Sequence, residues 1–281
     1  MPEVMSFAFL AVLLRIAALL LAGFAGFCLL LYWRQEGMLF LPERAPLTTV
    51  SREAGAVGFR LWPEASSAYR ALLAEPTGPI HGTCVVWHGN AGSARQRDYL
   101  AAPLLQLGLR VVVVEYPGYG ARPRGSLREA ALVAEARELV AEVRRHFDGT
   151  VIVVGESLGA AMAAAVAGDP ALPIAGVVLI TPWHDLAAVA RVHYPWLPIG
   201  LLLRDHFDNS AALQSYRGPV VVVTAAADEI IPAAEGRRLY QALPTPTKRL
   251  HEIPGAYHND WVERVTPGVW RTWLSFITAG K

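Results

Sequence analysis

The longest uninterrupted hydrophobic run lies near the amino terminus of the chain. Residues 7–33 are apolar apart from Arg15, and residues 16–33 carry no charge. As an α-helix this uninterrupted part would be roughly 27 Å long, close to the thickness of the hydrocarbon layer of a bilayer. Tyr32 and Trp33, followed by Arg34, are typical of a helix end at a membrane surface. The pattern predicts one transmembrane helix that anchors the chain.

A cleaved signal peptide is the alternative interpretation of this run. Cleavage would have to follow the small residues near Gly23 and Ala25, yet the apolar run continues well beyond them. Phe27 before Cys28 also departs from a lipoprotein signal. We therefore expect an uncleaved, single-pass membrane protein. Basic residues flank the run on both sides, so the membrane face occupied by the rest of the chain stays open.

From about residue 57 onward, short β-branched runs alternate with longer amphipathic segments. The valine run from Val111 to Val114 is typical of a strand buried on both faces of a parallel sheet. This alternation predicts an α/β fold with a mostly parallel central sheet and helices on both faces. The predicted strands are 57–62, 69–74, 83–87, 110–115, 151–154, 177–180, 220–224 and 249–253, and the predicted helices are 95–107, 126–146, 158–167, 233–242 and 261–276.

These patterns divide the 281 residues into three parts. We predict an anchor at 1–35, a linker at 36–55 and one α/β domain at 56–281, which is long enough for a well-buried core. Within that domain, residues 182–216 are longer than a plain crossover and rich in aromatic residues. They form either a small cap over a pocket or an ordinary packed helical crossover.

The most specific chemical signal is the pentapeptide from Gly155 to Gly159, which surrounds Ser157. A predicted strand precedes it, and a helix of small residues follows it. A serine on such a sharp strand-to-helix turn projects its hydroxyl from the sheet edge, and the flanking glycines avoid Cβ clashes. The context favours Ser157 as a nucleophile over a serine that merely caps a helix.

A nucleophilic serine needs a histidine base and an acid that orients it, which on this turn follow in the order serine, acid, histidine. Asp228 comes directly after the predicted strand 220–224, and His258 lies in a loop after the strand 249–253. Loops at the carboxyl ends of parallel strands meet at one sheet edge. Asp185 and Glu229 are the alternative acids. Asp185 is better placed to cap a helix, and Glu229 is expected to point to solvent.

Two backbone N–H groups should stabilise the oxyanion that forms during acyl transfer. One is that of Leu158, directly after the serine. The other is that of Asn90, in the glycine-containing turn after the strand 83–87. An ordinary glycine-rich turn is the alternative interpretation of this loop. A phosphate-binding loop is disfavoured, because the Gly-Lys-Ser/Thr ending is missing.

Several motifs along nearly the whole chain resemble the α/β-hydrolase superfamily, and within it the membrane-anchored Bem46-type group related to mammalian α/β-hydrolase domain-containing proteins 13 and 17. The resemblance implies a serine hydrolase whose triad corresponds to Ser157, Asp228 and His258. Glu156 departs from the group, whose members often carry a basic or neutral polar residue there. The motifs that carry the resemblance are Leu31-Tyr32-Trp33-Arg34, Leu39-Phe40-Leu41-Pro42, His88-Gly89-Asn90-Ala91-Gly92, Tyr116-Pro117-Gly118-Tyr119-Gly120, the serine pentapeptide, Tyr194-Pro195-Trp196-Leu197-Pro198, Leu202-Leu203-Arg204-Asp205, Asp228-Glu229-Ile230-Ile231-Pro232 and Pro254-Gly255-Ala256-Tyr257-His258-Asn259-Asp260.

Composition and charge narrow the function further. The formal net charge is +1, with no large basic field, so nucleic acid is not an expected partner. Cys28 and Cys84 fall in an apolar segment and a buried strand, and no disulfide between them is expected. The mechanism requires neither a metal nor an organic cofactor. The oligomeric state is not determined by the sequence.

We therefore expect a membrane-anchored serine hydrolase acting on a small or lipid-like acyl ester, a lysolipid or an acyl thioester. A serine peptidase of aminopeptidase type is one alternative, with Glu156 as the residue that could hold a substrate amine. A catalytically inert, membrane-tethered binding module is the other. The sequence alone does not separate ester, thioester and peptide substrates.

Overall fold

The computed structural model describes residues 7–279. Ten strands and ten α-helices follow one another along this part of the chain. The strands are β1 Leu41–Pro42, β2 Arg60–Trp62, β3 Ala71–Ala74, β4 Gly82–Trp87, β5 Ala91–Gly92, β6 Leu109–Val114, β7 Val151–Glu156, β8 Gly176–Ile180, β9 Val220–Ala225 and β10 Lys248–Ile253. The helices are α1 Phe7–Leu39, α2 Leu47–Ala56, α3 Asp98–Gln106, α4 Glu129–His146, α5 Leu158–Ala167, α6 Leu186–His193, α7 Ile199–Leu202, α8 Asn209–Ala212, α9 Ala233–Ala242 and α10 Pro267–Thr278.

Eight of these strands form one sheet in the order β10-β9-β8-β7-β4-β6-β3-β2. All neighbours from β10 to β6 pair in parallel, whereas β3 is antiparallel to β6 and to β2. Buried apolar residues form one cluster on each face of the sheet. The predicted α/β class with a mostly parallel central sheet is confirmed. The carboxyl ends of β4, β7, β9 and β10 consequently lie along one edge.

Most predicted elements differ from the structure by one to three residues at an end. Three of the differences have a clear local cause. The predicted helix 261–276 is a 3₁₀ turn at Trp261–Arg264 followed by α10, because Pro267 cannot donate into a preceding turn and starts the new helix. The predicted helix 95–107 is likewise interrupted at Arg97, after a 3₁₀ turn. The predicted strand 57–62 begins only at Arg60, since α2 runs to Ala56 and Gly58 turns the chain with a positive φ of 82°.

Helix α1 is the only helix in the described range that is long and apolar enough to cross a membrane by length and composition. The most apolar 18-residue stretch within Phe9–Leu39 has a mean hydropathy of 2.3. Most of its apolar side chains are exposed, so it does not belong to the core of the α/β domain. The helix extends beyond residue 35, and β1 and most of α2 lie in the segment predicted as a linker.

Candidate active site

Ser157 occupies the turn between β7 and α5 and adopts a strained backbone conformation, with φ 53° and ψ −116°. Its backbone N–H donates to the Ile180 carbonyl at 2.9 Å, which fixes the turn against β8. A Cβ at Gly155 would overlap the Gly159 carbonyl oxygen, and one at Gly159 would overlap the Trp87 carbonyl oxygen. Only glycine therefore fits on either side, and the packed turn holds the serine in place.

His258 lies in the loop after β10, and its imidazole lies between the serine and the aspartate. Its Nε2 is 3.1 Å from the Ser157 hydroxyl oxygen, and its Nδ1 is 2.8 Å from an oxygen of Asp228. With the proton on Nδ1, that N–H donates to the carboxylate and Nε2 accepts from the serine hydroxyl. Ser157 and His258 are each 8% exposed, and the Asp228 side chain is 1% exposed. The structure thus brings these three predicted site residues together.

Asp228 is held by the turn that follows β9. One carboxylate oxygen accepts the backbone N–H groups of Ile230 at 2.9 Å and Ile231 at 2.7 Å, which leaves the other oxygen for His258. Glu229 is exposed, yet its carboxylate accepts the His258 backbone N–H at 3.1 Å. Glu229 therefore positions the histidine loop rather than only facing solvent.

Asp185, the other candidate acid, caps helix α6. Its carboxylate accepts the Ala188 backbone N–H at 2.8 Å, and its second oxygen is 3.3 Å from His184. It makes no contact with His258 among the hydrogen bonds and ion pairs of the described residues. The capping interpretation accounts for its position.

The loop that carries Asn90 lies against the serine turn. A Cβ on Gly89 would lie 3.6 Å from that of Ser157, so the backbones approach closely here. The backbone N–H groups of Asn90 and Leu158 donate to no other residue in the part of the chain that the structure describes. Both residues line the same cavity as Ser157. Both N–H groups are thus free to donate hydrogen bonds to an oxyanion in this cavity.

The Asn90 loop is joined to the end of helix α1. The Asn90 side-chain amide donates to the Leu39 carbonyl at 2.6 Å. The backbone carbonyl of Asn90 accepts the Leu41 N–H at 2.9 Å. The Tyr119 hydroxyl donates to that same carbonyl at 2.5 Å. Strand β1 then pairs in parallel with β5. This attachment to helix α1 was not predicted from the sequence.

Beneath the loop, a buried carboxylate supports its backbone. Glu115 is fully buried and accepts the Ala94 backbone N–H at 3.0 Å and the Tyr69 hydroxyl at 3.2 Å. The buried His88 ring lies 3.7 Å from it, and Tyr116 donates to the His88 carbonyl at 2.9 Å. Burial raises the pKa of Tyr116 well above its usual range, so this hydroxyl remains a donor. Glu115 was not predicted from the sequence. The feature that distinguishes it there is a charged residue directly after the valine run 111–114.

The cavity in front of the serine has a volume of about 700 Å³. Helix α6 supplies much of its apolar wall, including Leu186 and Val189. Glu156 lies at the opposite side, and its two carboxylate oxygens accept the Tyr99 hydroxyl at 2.8 Å and the Trp261 indole N–H at 2.9 Å. Burial, followed by the charge of Glu156, raises the pKa of Tyr99. Across residues 7–279, no group of three or more metal-ligating side chains could hold a metal ion.

Comparisons with known proteins relate the chain to a protein family. Residues 78–204 match the family described as serine aminopeptidase (Hydrolase_4). An uncharacterized protein of Mycobacterium tuberculosis, Rv2307c, is 33% identical over 253 residues, which cover 88% of each chain. The uncharacterized membrane protein YNL320W of Saccharomyces cerevisiae is 29% identical over 178 residues, which cover 61% of this chain and 62% of that protein.

Two further similarities extend this comparison. The human alpha/beta hydrolase domain-containing protein 17B is 26% identical over 227 residues, covering 79% of this chain and 76% of that protein. Among solved structures, the monoacylglycerol lipase of Paleococcus ferrophilus superposes with a TM-score of 0.56 at 20% identity, covering 75% of this chain and 99% of the lipase. At that identity the likeness concerns the fold alone.

Proposed function

Because this chain belongs to the α/β-hydrolase superfamily, in its Bem46-like group, we propose that it is a membrane-anchored serine hydrolase of acyl esters or thioesters. The observation that carries the proposal is the chain of contacts from Ser157 through His258 to Asp228, at 3.1 Å and 2.8 Å, at the head of a cavity with apolar walls. Such a relay is the arrangement by which a serine hydroxyl becomes a nucleophile.

In the first half of the reaction, the Ser157 oxygen attacks the carbonyl carbon of the substrate while its proton passes to Nε2 of His258. Asp228 stabilises the resulting imidazolium and keeps the ring oriented. The N–H groups of Asn90 and Leu158 bind the oxyanion. The carbon–oxygen or carbon–sulfur bond then breaks. The leaving oxygen or sulfur receives the proton from His258 and departs as an alcohol or a thiol. An acyl-serine remains.

Water completes the cycle by the same route. His258 takes a proton from the water as its oxygen attacks the acyl carbon, and the second oxyanion occupies the same two N–H groups. When the bond to Ser157 breaks, the serine oxygen recovers its proton from His258. The carboxylic acid leaves, and every proton transferred to the histidine has been returned.

Membrane anchoring by α1 is the second part of the proposal. The helix has the length and hydropathy of a membrane span, and its apolar side chains are exposed. A span of this length holds a protein in a bilayer without a second signal. The site would then act next to a membrane surface.

A fluorophosphonate probe, which phosphonylates activated serines, tests the nucleophile. We expect the full-length protein to be labelled and the Ser157→Ala variant to lose labelling completely. Ser275→Ala, at an exposed serine on α10, is the matched control and should label normally. Undiminished labelling of Ser157→Ala with the same stoichiometry would overturn the assignment.

Peptide hydrolysis is a second candidate, favoured by one observation. Glu156 places a carboxylate on the wall of the cavity that contains Ser157, where it could hold a substrate amine. Both of its oxygens already accept hydrogen bonds, which favours a structural role. Assaying one aminoacyl 4-nitroanilide beside 4-nitrophenyl esters separates the two functions. An aminopeptidase would prefer the anilide and would lose that preference in Glu156→Gln.

A further inference from the structure

A second cavity lies between the anchor helix and the segment 182–216, which we call the cap segment. This cavity, the anchor groove, has a volume of about 290 Å³. Phe27 and Leu31 of α1 form part of one wall, and Ile199 and Leu202 of the cap segment form part of the other. The other lining residues are mostly apolar or aromatic, and the charged or amide ones are Gln35, Glu36, Arg128, Arg204 and Asp205. The groove therefore suits an apolar ligand.

The anchor groove adjoins the cavity in front of Ser157, and the same four residues form the boundary between them. Leu39, Leu186, Ala190 and Tyr194 line both spaces. Ala190 stands on α6 between them and carries the smallest of the four side chains. An extended chain could therefore lie in the groove and reach the catalytic cavity at its other end.

The two walls of the groove are fixed to each other. The Gln35 side chain donates to the Leu202 carbonyl at 3.0 Å and accepts the Arg204 backbone N–H at 2.9 Å. Farther down the helix, the rings of Phe27 and Trp196 stack with their centroids 5.9 Å apart. Contacts at both ends hold α1 against the cap segment, so the groove is a formed site.

The groove opens where a lipid chain would be available. Residues 194–203 carry no charge, and in them Trp196 is 58% exposed and Leu201 is 83% exposed. Trp196 also packs on Phe24, nine residues before Trp33, which is about 14 Å along a helix. When Trp33 lies at the membrane surface, this part of the cap segment lies among the lipid chains.

We propose that the anchor groove binds the long acyl chain of an ester or thioester resident in the bilayer, drawn from the same leaflet, with its carbonyl at Ser157. This inference rests on the proposed function, and it specifies the substrate class as long-chain acyl lipids. The chain passes from the leaflet between Trp196 and α1, lies along the groove and crosses Ala190 into the catalytic cavity. The polar head of the substrate, which is joined to the carbonyl, lies in the catalytic cavity beyond Ala190.

The experiment uses the full-length protein in phosphatidylcholine vesicles, with 4-nitrophenyl acetate and 4-nitrophenyl dodecanoate as substrates. The measured quantity is the ratio of kcat/KM for the dodecanoate to that for the acetate. Leu31→Trp, which fills the groove far from the serine, should lower this ratio at least tenfold. Leu30→Trp, at an exposed neighbouring position on α1, should leave it within twofold. An equal ratio in wild type and Leu31→Trp would overturn the proposal.

A second pair of variants tests the junction and guards against misfolding. Ala190→Trp should lower the same ratio more strongly than Leu31→Trp, while Val192→Trp, exposed on the same helix, should not change it. Equal losses on both esters in Ala190→Trp, with normal fluorophosphonate labelling, would contradict a path through Ala190. If wild-type protein neither labels nor cleaves the acetate, the proposed function itself fails. Normal acetate cleavage without dodecanoate preference refutes the groove alone.

Discussion

Ser157, Thr181 and Phe207 are the non-glycine residues with positive φ among those that the structure describes. Ser157 belongs to the candidate site, and Thr181 directly follows the neighbouring strand β8. A non-glycine residue in such a conformation costs about 1–3 kcal/mol, which the surrounding packing has to offset. The serine turn therefore stores strain at the position where the hydroxyl has to project into the cavity.

Replacing Ser157 by glycine should therefore stabilise the protein while abolishing hydrolysis. Ser157→Gly removes the Cβ that opposes the positive φ, and we expect the free energy of unfolding to rise by about 1 kcal/mol. Ser157→Ala keeps the Cβ and is the matched comparison, with equal loss of activity and no comparable gain. Chemical denaturation of both variants measures the difference. Equal stability of the two would mean that the turn is not strained by its side chain.

The acid can be assigned by comparing two aspartates. In Asp228→Asn the amide no longer favours the histidine tautomer that accepts the serine proton, so kcat should fall by roughly 10³- to 10⁴-fold. Asp185→Asn should change kcat by less than about twofold, because asparagine caps a helix as well as aspartate. Steady-state hydrolysis of 4-nitrophenyl acetate by both variants provides the measurement. A larger loss in Asp185→Asn would transfer the role to that residue.

How far single residues could be predicted depends on what surrounds them in the sequence. Ser157, Asp228 and His258 each follow a predicted strand of a parallel sheet, so their proximity follows from topology; their catalytic roles remain predictions. Glu115 accepts the backbone N–H of Ala94, and Glu229 accepts that of His258. In both pairs the two residues are distant in the sequence. Such contacts depend on the folded geometry, which local patterns do not encode.

At the scale of elements, buried runs were predicted well and short or exposed elements were not. Helix α5 is a continuous apolar segment and coincides with the predicted 158–167, and strand β6 contains the valine run 111–114. Strands β1 and β5 have two residues each and pair with each other across the chain. No periodicity can arise in two residues, so these two strands could not be predicted from the pattern of the sequence.

Next to the pairing of β1 with β5, the Asn90 side chain joins the loop to the end of α1, whereas its backbone N–H is the proposed oxyanion donor. Asn90→Ala keeps the backbone N–H but removes the bond to the Leu39 carbonyl at the end of α1. We expect kcat for the acetate to fall about tenfold, less than the 10²- to 10³-fold typical of losing an oxyanion donor, with KM little changed. Asn259→Ala, at an exposed residue lining the same cavity, is the control. Full kcat in Asn90→Ala would show that Leu39 does not position the loop.

At the scale of the whole molecule, most of the exposed large apolar residues among those described lie on α1 and the cap segment. Many lie on α1, and Val192, Tyr194, Trp196 and Leu201 extend the apolar surface onto the cap segment beside it. An exposed apolar surface of this kind marks a contact with a membrane or a partner. In the proposed membrane anchoring, α1 and the cap segment would both face the bilayer, and residues of both, Leu39 and Leu186 among them, line the cavity of Ser157.

This arrangement predicts different behaviour for the full chain and for a chain that begins at Glu36. The full chain should remain with membranes after high-salt and carbonate washing, because neither treatment weakens hydrophobic insertion. The shortened chain keeps Leu39 and Leu41, and with them the bonds to Asn90, so it should still cleave 4-nitrophenyl acetate. It lacks Phe27 and should lose the preference for the dodecanoate.

The shortened chain should also bind vesicles only weakly. The apolar side chains of the cap segment remain exposed in it, but they bury far less surface than a spanning helix. Vesicle sedimentation should show partial, reversible binding, reduced further by replacing Trp196 and Leu201 with serine. Release of the full chain by carbonate would rule out the anchor. An inactive but folded shortened chain would show that α1 is required for the catalytic cavity as well as for the groove.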